Sequence, residues 1–435
     1  MDAKQRLERL ENLRENGPIY AEMEVLYKGD RIKLPVYQID LDWLIYNKYN
    51  GRIASMVKSH ESQNGPLNAE GPDHKEIIER FLWNSKEQRN RNTIKDLREN
   101  GQLKYGIVTR DGIIIDGNRR ACLLNRIAEE DHSRPAYFLA VVLEDKLDQN
   151  PREIMRLETT YQMGEDEKLD YNAIEKYLKC KDLKELYKFN EKEIAKMMGE
   201  TEGRIEEWLS IMRLMDEYLA FLKYDGIYTR LDDTEGIFVD LNGYFGRYDG
   251  ESSVMVQWQY DKQDIHDLKL IYFDYIRARH GGEGKEYRKI GKPSKKDSFF
   301  CNEAVWNEFK DRHFQSIYPI TDSEPSIDQC RQSLQNVPLD DVLKQRDHAW
   351  QSKVLPKIKE NMGKSGRALD DYNAKNMPAE LLNRARNALF LIDPATDEFL
   401  EDPIIAPLVT ELGRLVWEFQ KALKHRRQDH ENDTN

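Results

Sequence analysis

The chain has 435 residues, 34% of them charged and 39% hydrophobic, and a formal net charge of −12. That length predicts two to four domains, and a mean hydropathy of −0.81 reads as a helix-rich protein with a large charged surface. An acidic chain is a poor non-specific coat for nucleic acid, so any DNA contact has to come from a local patch.

The four cysteines, Cys122, Cys180, Cys301 and Cys330, form no C-x-x-C pair, which argues against a zinc module or a disulfide framework and suits a reducing compartment. The charged start MDAKQRLERLENLREN has no apolar core of a signal peptide. The longest apolar run, YFLAVVL, is far too short to span a bilayer. The expectation is a cytoplasmic protein with no membrane contact.

In chain order, residues 2–15 predict a helix with Leu7, Leu10 and Leu13 on one face. RIKLPVYQIDLDWLIYNKYNGRI is strand-like up to a turn at Asn50-Gly51, and residues 59–73 read as a surface loop. HKEIIERFL and NTIKDLREN predict two short helices, the second stopped by Gly101. YGIVTR-DG-IIIDG predicts a hairpin. A helix from Arg119 to about Glu130 and the strand PAYFLAVVLE follow.

From Asn150 to Lys223 the pattern is helical almost throughout. A short helix, Glu191 to Met198, ends at Gly199, and a second begins near Glu202; the apolar positions Ile194, Ala195, Met198, Ile205 and Leu209 have helix-turn-helix spacing. GIFVDLNGYFGRYDG and VMVQWQY suggest strands within a mixed region, and residues 279–297 read as a mobile basic loop. From about 335 the chain is helical again, ending in a stripe of Leu408, Leu412, Leu415, Phe419 and Leu423. No internal repeat is visible.

The stretch IIIDGNRRACLL carries the most chemistry. A strand that runs through a glycine turn into a helix makes a phosphate site, because the first backbone N–H groups lack partners and the helix dipole favours an anion. Gly117 allows close approach, and Arg119 and Arg120 add charge-assisted bonds. The alternative is a surface arginine pair bonded to Asp116 or Asp111, and spacing leaves both open.

The run TIKDLRENGQLKYGIVTRDGIIIDGNRRACLL resembles the ParB/sulfiredoxin-like nucleotide-binding domain, which has a helix ending in -ENG-, two strands and a G-x-R-R helix start. IMRLETTYQMGEDEKLDYNAIEKYLK stands where ParB proteins have their E-N-x-x-R segment, and EIAKMMGETEGRIEEWLSIMRLM where they have a helix-turn-helix. The resemblance covers roughly residues 33–222. It implies an α+β chain: an N-terminal helix (1–32), a small mixed αβ nucleotide-binding domain (33–149) and a helical helix-turn-helix domain (150–223). A mixed αβ region with the basic loop (224–334) and a helical C-terminal region (335–435) complete the expected order.

The resemblance also implies site residues. Gly101 and Gln102 would approach the nucleotide. Gly117, Asn118, Arg119 and Arg120 would hold the triphosphate of CTP or ATP, with Arg52 also facing phosphate. Glu158 would lie near the phosphates and orient water as the catalytic residue, and Glu158 and Thr159 would face Mg²⁺. Three positions depart from the pattern. Cys122 replaces a further arginine, Thr159 the metal-facing asparagine and Gln162 the following arginine. Asn118 stands where sulfiredoxins have their catalytic cysteine, which argues against reductase chemistry.

DNA contact is expected from Arg204 in the helix-turn-helix and from Lys285, Arg288 and Lys289 in the basic loop, with Tyr287 available to stack on a base. The helix-turn-helix is short of positive charge, with six acidic residues against four basic ones between Glu191 and Arg213, and carboxylates repel phosphate. Asp232, Asp233, Glu235 and Asp240 read as a solvated edge rather than a metal site. The leading expectation is a nucleotide-gated DNA-binding protein acting as a homodimer, in segregation, plasmid maintenance or phage defence. The alternatives are an enzyme of the same fold (a slow NTPase, nuclease or small-molecule kinase) or a non-catalytic adaptor using its C-terminal helices on a protein partner.

Overall fold

Apolar runs in the first third of the chain build one six-stranded sheet. The computed structural model describes residues 1–132, 136–164, 171–248, 253–256 and 258–432. Helix α1 (Ala3–Asn16) is followed by β1 (Ala21–Tyr27), β2 (Asp30–Asp40), the two-residue β3 (Ile45–Tyr46) and helices α2 (Ala54–Asn64), α3 (Pro72–Asn84) and α4 (Glu87–Asn100). The expected hairpin is β4 (Gly106–Val108) and β5 (Ile113–Asp116), leading into α5 (Asn118–Glu130) and β6 (Tyr137–Val142). The strand order is β1-β2-β6-β4-β5-β3. β6 runs antiparallel to β2 and parallel to β4, and β3 runs parallel to β5.

The central strand explains its own sequence. Phe138, Ala140 and Val142 of β6 pack on one face, with Leu10 of α1, Val57 of α2, Ile78 of α3 and Ala121 of α5. Leu139 and Val141 pack on the other, against Ile154 and Leu157 of α6 (Pro151–Thr159). A strand covered on both faces reads as a continuous apolar run. The loop expected over 59–73 is shorter, because α2 continues to Asn64, and β1 was not foreseen.

Beyond the sheet, α6 continues as a π-helical turn over Thr160–Gly164, and α7 (Ala173–Glu185) follows; the residues expected to be helical between 165 and 170 lie outside the described ones. The helix-turn-helix comprises α8 (Glu191–Met198) and α9 (Glu202–Leu222). An Asn190–Glu193 capping box starts α8, Gly199 ends it at φ 61°, and the Thr201 hydroxyl accepts from the Arg204 N–H.

The expected mixed αβ region is corrected: among the described residues of 224–334 there is no strand. Tyr228–Leu231 form a 3₁₀ turn, and the next helices are α10 (Glu235–Tyr248) and α11 (Lys262–Arg277). Phe238, Leu241, Tyr244 and Tyr248 are buried at helical spacing, which overrides the β propensity of their side chains. The described residues of VMVQWQY form turns and extended chain. The basic stretch is also corrected. Within it α12 (Arg288–Gly291) is pinned by Phe299 N to Lys289 O at 2.7 Å and Phe300 N to Ile290 O at 3.0 Å, with Tyr287 and Ile290 buried.

Helices α13 (Glu303–Asp322) and α14 (Ile327–Ser333) lead to the 52-residue α15 (Leu339–Phe390). A buried charge cluster anchors its start. Asp347 accepts from Arg277 Nε at 3.0 Å, Arg230 Nη2 at 2.5 Å and the Tyr224 hydroxyl at 2.9 Å. Glu324 accepts from Arg277 and from Arg346, and the Arg277 guanidinium lies 4.4 Å from the centre of the Trp350 ring. Residues Met1–Met362 form one compact unit and Gly363–Asn435 a second. The second holds the end of α15, α16 (Asp397–Glu401) and α17 (Ile405–Asn432). On α17, Leu408, Leu412, Phe419 and Leu423 are 42–67% exposed. Among the described residues no helix is long and apolar enough to cross a membrane.

Removing one member of a buried ion-pair cluster leaves the others charged and unpaired. Asp347→Ala strands Arg230, leaves Arg277 with Glu324 as its remaining carboxylate, and is expected to cost about 3 kcal/mol, measured as a lower urea midpoint at unchanged slope.

Candidate functional site

The turn from β5 into α5 forms the site. Gly117 sits at φ +96°, in the left-handed region that favours glycine, and a Cβ there would lie 2.6 Å from the Phe138 ring and 3.1 Å from Arg120 Nη1. Asn118, fully buried, locks the turn: its Oδ1 accepts from the Asn47 N–H at 2.8 Å and its Nδ2 donates to Ile114 O at 2.8 Å. The loop held by that first bond carries Asn50, whose Oδ1 accepts from the Arg52 N–H at 3.0 Å. The first turn of α5 and the 47–52 loop therefore face one another across a cleft of about 100 Å³, lined by Asn50, Arg52, Thr93, Asp116–Arg120 and Gln162.

Of the residues expected to hold phosphate, Arg52, Gly117, Asn118, Arg119 and Arg120 come together here. Arg120 Nη1 is buried and has no hydrogen-bond partner among the described residues. A guanidinium nitrogen left so is costly unless an acceptor enters the cleft. The Arg52 guanidinium lies 4.7 Å from the centre of the Tyr171 ring. Gln162, where the resemblance called for arginine, is consumed internally: it donates to Ile115 O at 2.9 Å and accepts from the Tyr171 hydroxyl at 2.8 Å.

Four expected residues are elsewhere. Gly101 closes α4 at φ +71° and does not line the cleft. Gln102 is taken up by β6: its amide accepts from Leu139 N–H at 2.8 Å and donates to Leu139 O at 2.7 Å. Glu158 lies beneath the cleft with no exposed surface, bonded to Lys179 Nζ at 2.5 Å and Asn47 Nδ2 at 3.4 Å. Burial pushes its carboxyl up, and Lys179 opposes the shift. The Thr159 hydroxyl is shut in the core. Neither Glu158 nor Thr159, expected to orient water and face Mg²⁺, lines the cleft, and the Glu158 carboxylate is engaged by Lys179. Among the described residues no group of three His, Cys, Asp or Glu side chains could hold a metal ion. Asp116 is the acidic residue lining the cleft.

A second lobe of about 90 Å³ adjoins the first and shares Arg52 and Arg119 with it. Its other walls include Ser55, Lys86, Tyr171, Glu175, Thr229 and Asp232. Sequence reasoning missed Thr93, Ser55 and Glu175, and no motif marks them. Ser55 Oγ donates to Glu175 Oε1 at 2.5 Å, and the Ser55 N–H reaches both carboxylate oxygens at 3.3 and 3.2 Å. Burial pushes the Glu175 carboxyl up to about 7; the Ser55 hydrogen bonds oppose the shift and the Asp232 charge adds to it.

The expected DNA contacts are scattered. Arg204 is ion-paired with Glu207 at 2.7 Å on the surface of α9. Arg288 is ion-paired with Asp240 at 2.8 Å, and Lys285 and Lys289 are exposed. The Tyr287 ring is buried with its hydroxyl on Asp240, so base stacking by Tyr287 is corrected. In the acidic group, Asp240 holds Arg288 and Tyr287, and Glu235 accepts from the Tyr177 hydroxyl at 2.6 Å. Cys122 is buried in the core and is not among the residues lining the cleft.

No protein-family model matches the chain, and no curated protein does. Among solved structures the chain is similar to the C-terminally truncated chromosome-partitioning protein ParB from Caulobacter crescentus, in complex with CTP-gamma-S. The identity is 15% and the TM-score 0.18, over 48% of this chain and 92% of that one.

Glu175 gives a pH signature. Its folded pKa of about 7 lies above the ordinary 4.5 of the unfolded chain. The folded state therefore binds the proton more tightly, and stability falls as pH rises from about 4.5 to about 7, by roughly 3 kcal/mol in all. Glu175→Gln cannot ionise. It is expected to flatten that slope and to melt at or above the wild-type temperature at pH 8, as measured by calorimetry from pH 5 to 8.

Proposed function

We propose that this protein is a ParB-like nucleotide-binding protein. CTP or ATP places its phosphates at the turn of Gly117, Asn118, Arg119 and Arg120, with Arg52 on the opposite wall. The observation that carries the reading is the buried, unpartnered Nη1 of Arg120 beside a left-handed glycine at a helix N-terminus. An anion satisfies that nitrogen and meets the positive end of the α5 dipole. Mg²⁺ would arrive with the nucleotide. Hydrolysis is not part of this reading, because Glu158 is sealed against Lys179.

The test is calorimetric titration of CTP, ATP, GTP and UTP with Mg²⁺. The reading expects one of them to bind, and Arg120→Ala to weaken binding by at least about tenfold, a loss of 1.4 kcal/mol or more for a charge-assisted bond. Absence of binding at millimolar concentration rejects it.

The nucleotide would act as a switch between dimer and DNA states of a homodimer. DNA engagement would fall to the α8–α9 motif with Arg204, and to Lys285, Arg288 and Lys289. Phosphate would have to displace Glu207 from Arg204 and Asp240 from Arg288. For the dimer, Leu408, Leu412, Leu415 and Phe419 step by four, three and four along α17. This is the a/d rhythm by which two copies of one helix interlock, on a face with little cover in the chain itself. Light scattering is expected to give twice the chain mass of 51.4 kDa for wild type and the single mass for the Leu412→Glu, Phe419→Glu double variant. A monomeric wild type at micromolar concentration rejects the dimer.

A further inference from the structure

Ser55 and Glu175 form a polar pair that the phosphate cradle does not use. Ser55 stands in the first turn of α2, half-buried on the wall of the second lobe. Its hydroxyl is 2.5 Å from Glu175 Oε1. The carboxylate is almost wholly buried, and the donors it accepts from are the neutral groups of Ser55 and the Ala54 N–H. Among the described residues no lysine or arginine is paired with it as Lys179 is with Glu158. A carboxylate held by neutral donors and poised near neutrality is suited to take a proton from the hydroxyl it touches. Arg52 and Arg119, which wall both lobes, and Lys86 of the second lobe bring positive charge to the space between the cradle and Ser55.

We infer that Ser55 is a phosphoacceptor: it takes the terminal phosphoryl group of a nucleoside triphosphate held in the cradle, with Glu175 as the base. The inference rests on the cradle reading. The Ser55 Oγ–P bond forms as the bond from that phosphorus to the β–γ bridging oxygen breaks. The bonding pair leaves with the nucleoside diphosphate, and the hydroxyl proton passes to Glu175 Oε1 and then to water. The arginines stabilise charge on the transferring group, which is the main task in phosphoryl transfer. The product is a phosphoserine at a helix N-terminus, where the dipole favours it, set against the Glu175 carboxylate, which repels it. Phosphorylation therefore loosens the contact between α2 and α7. If Glu175 serves only as a cap on α2, no phosphate appears on Ser55.

The experiment uses the full chain with MgATP and, separately, MgCTP, followed by peptide mass mapping, with nucleotide binding measured by calorimetry on the same preparation. One phosphate is expected on the Ser55 peptide. It should be absent in Ser55→Ala and form at least about a hundredfold more slowly in Glu175→Gln, a variant that melts no lower than wild type at pH 8. A second readout needs no nucleotide: Ser55→Asp is expected to speed amide exchange in the first turns of α2 and α7. Bound nucleotide without phosphate on Ser55 overturns this inference and leaves the cradle standing. Absence of nucleotide binding overturns both. Phosphate that forms at the wild-type rate in Glu175→Gln overturns the role of the carboxylate.

Discussion

The left-handed turn at Gly117, locked by Asn118, is the constraint from which the cleft follows. Asn118 spends its amide on two backbone groups, the Ile114 carbonyl behind it and the Asn47 N–H across the cleft. The first bond fixes where α5 begins. The second fixes the loop that carries Arg52. One buried side chain therefore sets the spacing between the two arginine-bearing walls. Ordinary helix capping does not account for it, since the α5 N-terminus has no side-chain cap hydrogen bond.

Two buried glutamates close to that cleft meet opposite fates. Glu158 is joined to Lys179 and sews α6 to α7. A buried ion pair of this kind fixes geometry more than it stabilises, because desolvation offsets much of the attraction. Among the described residues Glu175 accepts from neutral donors only, and burial pushes its carboxyl up to about 7. Environment, not residue type, separates a carboxylate joined to lysine from one whose pKa burial raises to about 7.

The sequence made the cleft's cationic side legible and concealed its acidic side. Gly117, Arg119 and Arg120 lie in one short run whose geometry follows from a strand, a turn and a helix start. The helix-turn-helix was legible for the same local reason, with Gly199 and Thr201 punctuating it. Ser55 and Glu175 are 120 positions apart and meet through packing of α2 on α7, which no local pattern encodes. The fate of Glu158 turned on Lys179, whose partner is likewise set by helix packing. In the middle region the aromatic composition of α10 suggested strands, although the spacing of Phe238, Leu241, Tyr244 and Tyr248 already contained the helix. There composition was weighed above period.

The same packing joins the cleft to the start of the long helix. The 3₁₀ turn Tyr228–Leu231 places Thr229 on the wall of the second lobe. Its N–H donates to Ser59 Oγ of α2 at 3.1 Å and its hydroxyl to Asp340 Oδ1 of α15 at 3.3 Å. The next residue, Arg230, enters the buried cluster through Asp347. Two consecutive residues, Thr229 and Arg230, thus touch the cleft wall, α2 and the first turns of α15. Separating α15 from this turn breaks ion pairs that are only slightly exposed, whereas shifting α2 against α7 breaks neutral hydrogen bonds to the Glu175 carboxylate and one more exposed ion pair, Lys58 to Asp182 at 2.9 Å. The second is the softer seam.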